Sequence, residues 1–199
     1  MKAAFVVLLL ASAPATAAPL TAPDLMTVAG LTPTSTVADA TKLYGPGTPM
    51  GGQGVEFLAK GSSSDAWLTF VPGRQVYVDC DEAPANLPDD AIGSLCRIAT
   101  GPDWKLALTA LQDALKEGQL RKMGPGIKST PPPDDVSQVG RAVSGADERD
   151  DDDDDDAFFE VTRTFQTPDY TIGVETCPRI KTEHNGSWNA AVIVTWTRS

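Results

Sequence analysis

The sequence predicts an α+β fold: a small antiparallel sheet with two helices packed on one face, interrupted by a long acidic disordered linker. Three observations carry this. Short β-prone runs separated by turn residues recur in residues 55–78 and again in 158–196. Two other segments repeat apolar residues at helical intervals behind a capping residue. Residues 118–157, between the two strand groups, hold only nine apolar residues in forty, too few to offset the cost of ordering the chain.

In chain order, Lys2 precedes an apolar run from Ala3 to Ala11, then Ser12, Pro14 and small residues through Ala18, the layout of a cleavable secretory signal covering residues 1–17. Nothing after it is long and apolar enough to span a bilayer, and no cysteine follows it to carry a lipid. The expected location is periplasmic or secreted. Residues 18–117 then supply the first part of the domain. Thr36-Val37-Ala38-Asp39 fits a capping box before a short helix that Gly45 and Pro46 end, with Val37, Ala40 and Tyr44 as its apolar stripe. Val55–Leu58, Ala66–Val71 and Gln75–Val78 read as a three-strand meander around Gly/Ser and Pro-Gly turns. The second helix follows Asp103 as N-cap, with Trp104, Leu108, Leu111 and Leu115 on one face and Gly118 ending it.

Residues 118–157 form the expected disordered Pro/Asp-rich linker, extended locally by Pro131-Pro132-Pro133. Residues 158–199 are too few for a comfortable domain of their own, so they are expected to complete the first sheet with strands at Phe158–Phe165, about Tyr170–Glu175, and Trp188–Trp196. His184-Asn185-Gly186-Ser187 reads as a turn; its glycosylation triplet matters only where the modifying enzyme is present.

The formal net charge is −11, and most of it is local: residues 147–156 hold nine acids against one base. Bare nucleic acid is therefore an unfavourable partner. The run Asp150, Asp151, Asp152, Asp153, Asp154, Asp155 and Asp156 offers oxygen ligands for weak divalent binding, calcium above all, but lacks the spacing and glycine of a specific calcium loop, so no specific metal site is assigned. The solubilising-spacer reading and electrostatic contact with a basic protein stand beside it.

Residues 30–45, from Gly30 through the Thr36 cap to Gly45, resemble the entry element of small exported α+β modules of the beta-lactamase-inhibitor-like and outer-membrane-assembly lipoprotein type. That resemblance implies a helix-on-sheet module used in protein binding or envelope upkeep rather than catalysis. It transfers no binding residues, and the lipid-bearing cysteine of the lipoproteins has no counterpart.

Three cysteines leave three single pairings. Cys80 and Cys96, with fifteen residues between them, are the favoured disulfide in an oxidising compartment, with Cys177 as a free thiol or alternative partner. A Cys177–His184 nucleophilic pair lacks any feature that holds it together, no G-x-S-x-G elbow is present, and no cofactor is implied. The four tryptophans read as packing residues. The function expected from all this is a soluble exported interaction or structural module that binds another envelope or secreted protein. The alternatives are a secreted hydrolase with an unrecognised site, or a calcium-responsive assembly protein using the Asp tract.

Overall fold

The computed structural model describes residues 18–51, 53–123, 158–182 and 186–199. The signal segment 1–17, the aspartate run, His184 and Asn185 lie outside the described residues. The described chain is mixed α and β but dominated by one eight-stranded antiparallel sheet. Its strands are β1 (Thr48–Pro49), β2 (Val55–Leu58), β3 (Ala66–Val71), β4 (Gln75–Asp79), β5 (Gln119–Met123), β6 (Phe158–Gln166), β7 (Tyr170–Cys177) and β10 (Ala191–Arg198). They lie in the order β1-β2-β3-β4-β10-β7-β6-β5. Strands β8 (Ile180–Thr182) and β9 (Gly186–Trp188) pair separately as a hairpin.

The last strand therefore fills the middle of the sheet. β10 pairs with β4 through Val192↔Val78 and Val194↔Val76, and with β7 through Val194↔Val174 and Trp196↔Ile172. Because side chains alternate across a strand, those pairs fall on one face, joined by Leu68 and Phe70 of β3, Val55 and Phe57 of β2, and Val161 and Phe165 of β6. All belong to one buried cluster with the helices. The sheet thus unites strands from both sides of residues 124–157.

Three α-helices cover that face, where the sequence predicts two. Helix α1 (Val37–Tyr44) carries the expected reciprocal cap: Asp39 N–H donates to the Thr36 hydroxyl, and Thr36 N–H donates to the Asp39 carboxylate at 2.8 Å. Ala40 is buried and the Tyr44 ring meets Phe57 and Trp67 edge-on, while Val37 stays more exposed than a core stripe requires. Helix α3 (Trp104–Ala114) starts as expected, with Asp103 accepting from the Lys105 and Leu106 N–H groups, and it buries Leu108 and Leu111. It stops short of Gly118, because Lys116 and Glu117 take positive φ values of 52° and 68°. Arg163 from β6 donates to the Leu115 carbonyl at 2.8 Å, placing a cation at the helix C-terminus.

Helix α2 (Ala91–Ala99) is the helix that periodicity misses. Gly93 sits inside it, a poor helix former, and the Asp89-Asp90 pair precedes it. The structure uses both. Asp90 is the N-cap, accepting from Gly93 N–H at 3.2 Å, and a Cβ at Gly93 would run into the Pro88 carbonyl oxygen. Ile92 and Leu95 are fully buried beneath it.

Two strand boundaries also change. Gln119–Met123, expected within the linker, is the edge strand β5, paired with β6 from Gln119↔Thr162 to Met123↔Phe158. Its alternation is hard to read in sequence because Leu120 is half exposed. Trp188–Trp196, expected as one strand, divides at Asn189-Ala190 into β9 and β10. That break is pinned by the Ala190 N–H donating to the Asp81 carboxylate at 2.7 Å and by the Cys80 N–H donating to the Ala190 carbonyl at 2.8 Å.

Candidate functional site: the second face of the sheet

The same alternation that fills one face with aliphatic side chains sends polar ones to the other. One cross-strand row runs Glu56, Thr69, Tyr77, Ile193, Glu175, Thr162 and Gln119; a second runs Asp79, Ala191, Cys177, Glu160 and Arg121; a third holds Gln75, Thr195, Gly173 and Thr164. None of these side chains joins the apolar cluster. The charged ones are Glu56, Asp79, Glu160 and Glu175 against Arg121, so the face is acidic.

Over β5, β6 and β7 this face carries an open groove of about 580 Å³, lined by Glu117, Gln119, Arg121, Thr162, Thr164 and Glu175, among others. Gly173 keeps its floor low: a Cβ there would stand 2.6 Å from the Thr195 hydroxyl. Glu160 sits directly across from Arg121 and is 7% exposed. Burial, then the charge of Glu175, push its carboxyl up to about 7; Arg121 opposes the shift, and a hydrogen bond with Glu175 favours the protonated form. Glu160 therefore holds its proton far above the range of an ordinary carboxyl.

Three buried side-chain oxygens have no hydrogen-bond partner among the described residues: Thr69 Oγ1, Gln75 Oε1 and Glu160 Oε1. All three lie on this acidic face, on β3, β4 and β6 respectively. An unmet buried polar atom costs about 1–3 kcal/mol, so natural folds keep few of them.

The cysteines are resolved by packing. Cys80 and Cys96 stand at disulfide distance, with S–S 2.06 Å and Cα–Cα 5.1 Å, tying the end of β4 to α2. Cys177 is free and buried beside Ala191, and burial pushes its thiol up to about 12. That is the reverse of what a nucleophile needs. Nearby, Asp79 accepts from the N–H groups of Asp81 and Glu82 and from Asn189 Nδ2, while Asp81 pairs with Arg179. These contacts make a structural latch between the β4 end and the chain entering β10. Burial raises the Asp79 carboxyl, and its three hydrogen bonds hold the shift down.

Of the tryptophans, Trp67 and Trp196 are core residues, and Trp196 Nε1 donates to the Leu25 carbonyl at 3.0 Å. Trp104 stacks on Phe159 at 5.8 Å. Among the described residues no group of three or more His, Cys, Asp or Glu is placed to hold a metal, and no helix is long and apolar enough to cross a membrane. The aspartate run cannot be placed against either finding, since it is outside the described residues.

Residue types alone single out the cysteines and the aspartate run and pass over Glu160, Glu175 and Arg121. The alternation Phe159-Glu160-Val161-Thr162 does put Glu160 on a polar side. What brings it to Glu175 and Arg121 is the register of β5, β6 and β7. Comparison with protein-family models, curated proteins and solved structures finds no match to this chain.

Proposed function

We propose that this chain is a soluble exported interaction module that binds another envelope or secreted protein through the acidic second face of its sheet. The observation that carries the reading is the open polar groove over β5, β6 and β7, lined by Arg121, Thr162, Thr164 and Glu175 on the sheet face opposite the helices. A partner that lies across β5 to β7 covers that groove. The amino-terminal signal pattern and the Cys80–Cys96 bridge support export, and the resemblance of residues 30–45 to small exported modules belongs to the same reading.

The hydrolase alternative draws on Glu160 and Glu175, a pair of the kind that supplies acid and base chemistry. Their mutual hydrogen bond argues for a binding role, because each carboxyl engages the other instead of flanking a substrate bond. The Cys177 thiol is buried and neutral, which removes the nucleophile from the Cys177–His184 version. A calcium-responsive assembly through the Asp tract predicts a change with millimolar calcium that ionic-strength-matched sodium chloride does not reproduce.

The test is affinity capture from the native envelope with the wild-type chain and with Thr164→Trp, which fills the groove from an exposed strand position. A reproducible partner that is lost with Thr164→Trp, while the melting temperature is retained, supports the reading. Capture that ignores the substitution overturns it.

A further inference from the structure

Strand order divides the sheet into two runs. β1 to β4 follow one another as neighbours, as do β5 to β7, and among the described residues the two runs are joined in one sheet only through β10. β10 pairs with β4 from Ala191↔Asp79 to Thr195↔Gln75 and with β7 from Ala191↔Cys177 to Arg198↔Tyr170. Val76, Val78, Ile172 and Val174 stand directly beside Val192, Val194 and Trp196, and all of them are buried. Take β10 away, and the edges of β4 and β7 present unpaired backbone groups beside apolar side chains, the kind of edge that folded proteins cover.

β10 also fastens parts outside the strand ladders. The Trp196 N–H donates to the Arg74 carbonyl at 2.7 Å and its Nε1 to the Leu25 carbonyl at 3.0 Å, which holds the short 3-10 turn Pro23–Met26 at the other end of the described chain. The Thr195 hydroxyl donates to the carbonyl of Gly173, which lines the groove, at 3.4 Å. The remaining ties between the runs are α2, which packs on β7 and is bridged to the end of β4 by Cys80–Cys96, and the Arg179–Asp81 ion pair. These tether the runs without setting their register.

We propose that β10 is a closing strap: the runs on either side of it stay unjoined until the carboxyl-terminal strand enters between them, and the core and the groove are completed in that step. The strand that fills the centre of the sheet is the last to be reached along the chain, so native assembly waits for the final residues. Pairing at such long range forms late, because loop closure must precede the contacts that reward it. The strap acts on the fold whichever surface of the sheet meets a partner.

The test is native-state hydrogen exchange on the intact, oxidised chain at rising concentrations of urea below the unfolding midpoint, read amide by amide by NMR. The Val192, Ile193 and Val194 amides are expected to exchange only through the global opening, with the urea dependence of complete unfolding. A partial opening that exposes these amides while Leu68 and Phe70 of β3 or Val161 and Phe165 of β6 stay protected overturns the proposal. A second measurement cuts the folded chain at a protease site inserted between β8 and β9 and removes the piece that carries β10 in urea. The remaining piece, with its Cys80–Cys96 bridge intact, is expected to lose the cooperative urea transition. A remaining piece that unfolds cooperatively at the midpoint of the full chain overturns the proposal as well.

Discussion

The two faces of one sheet are built by the same alternation and end in opposite states. On the covered face, Val76, Val78, Val192, Val194 and Phe70 are buried in one cluster with α2 and α3, and the one buried polar side chain there among the described residues, the Thr176 hydroxyl, donates to the Ala191 carbonyl at 3.1 Å. On the other face the buried groups include Asp79, whose carboxylate is hydrogen-bonded, and Thr69, Gln75 and Glu160, each with an oxygen that has no partner among the described residues. The comparison teaches that stability and recognition are divided between the faces. One face contributes burial of apolar area. The other retains unmet polar groups at a cost in stability, which is the usual mark of a surface shaped for something besides folding.

The sharpest way to break this division is Phe70→Ala, which empties a fully buried position on the covered face. It is expected to lower the unfolding free energy by about 3–5 kcal/mol in urea titration, while Thr164→Ala on the open face stays within about 0.5 kcal/mol. Equal losses would show that the open face also carries the fold. Next in size is the Cys80–Cys96 link, which fastens α2 to the end of β4 across a separation of 16 residues. Replacing both cysteines by serine is expected to cost about 2–4 kcal/mol, read as a fall in melting temperature under non-reducing conditions.

Glu160→Gln inverts the sign. The Glu160 value in the folded chain, about 7, lies above the ordinary value of 4.5, so its protonated form contributes stability that is full below pH 4.5 and lost as pH rises through 7. The wild type should therefore lose stability between pH 5 and pH 8 relative to the variant. At pH 8 Glu160→Gln is expected to be the more stable by about 1–3 kcal/mol, since an uncharged amide replaces a buried charge. A variant that is less stable at pH 8 would mean that Arg121 already satisfies Glu160. The smallest effect is Thr36→Ala, at the start of α1 outside the sheet, which removes one capping box for about 1 kcal/mol by the same denaturation measurement.

Much of the covered face is legible in the amino-acid order alone. The Thr36–Asp39 cap, the Asp103 cap, the strand cores at 55–58, 66–71 and 75–78, and the Cys80–Cys96 pair all follow from local rules that act within a few residues, or from the short separation of the two thiols. Helix α2 is not legible, because Gly93 lowers its local propensity for a reason that lies in the contact with Pro88. Strand β5 is not legible either. An edge strand with exposed Leu120 and cationic Arg121 has little pattern until β6 is placed beside it.

The open face is the least legible part. Glu160, Glu175 and Arg121 lie on three separate strands, and no spacing in the chain links them. By itself the sequence determined which residues alternate, which segments cap and coil, and where the charge is concentrated, since these depend on neighbours along the chain. Only the tertiary structure decided that β10 enters between β4 and β7, which aligns the rows across the sheet, and that β5, β6 and β7 pair in the register that makes Glu160 a neighbour of Arg121 and Glu175. The physical reason is register: pairing between distant strands is fixed by the burial of whole faces, and a shift of one residue would send every one of these groups to the opposite side.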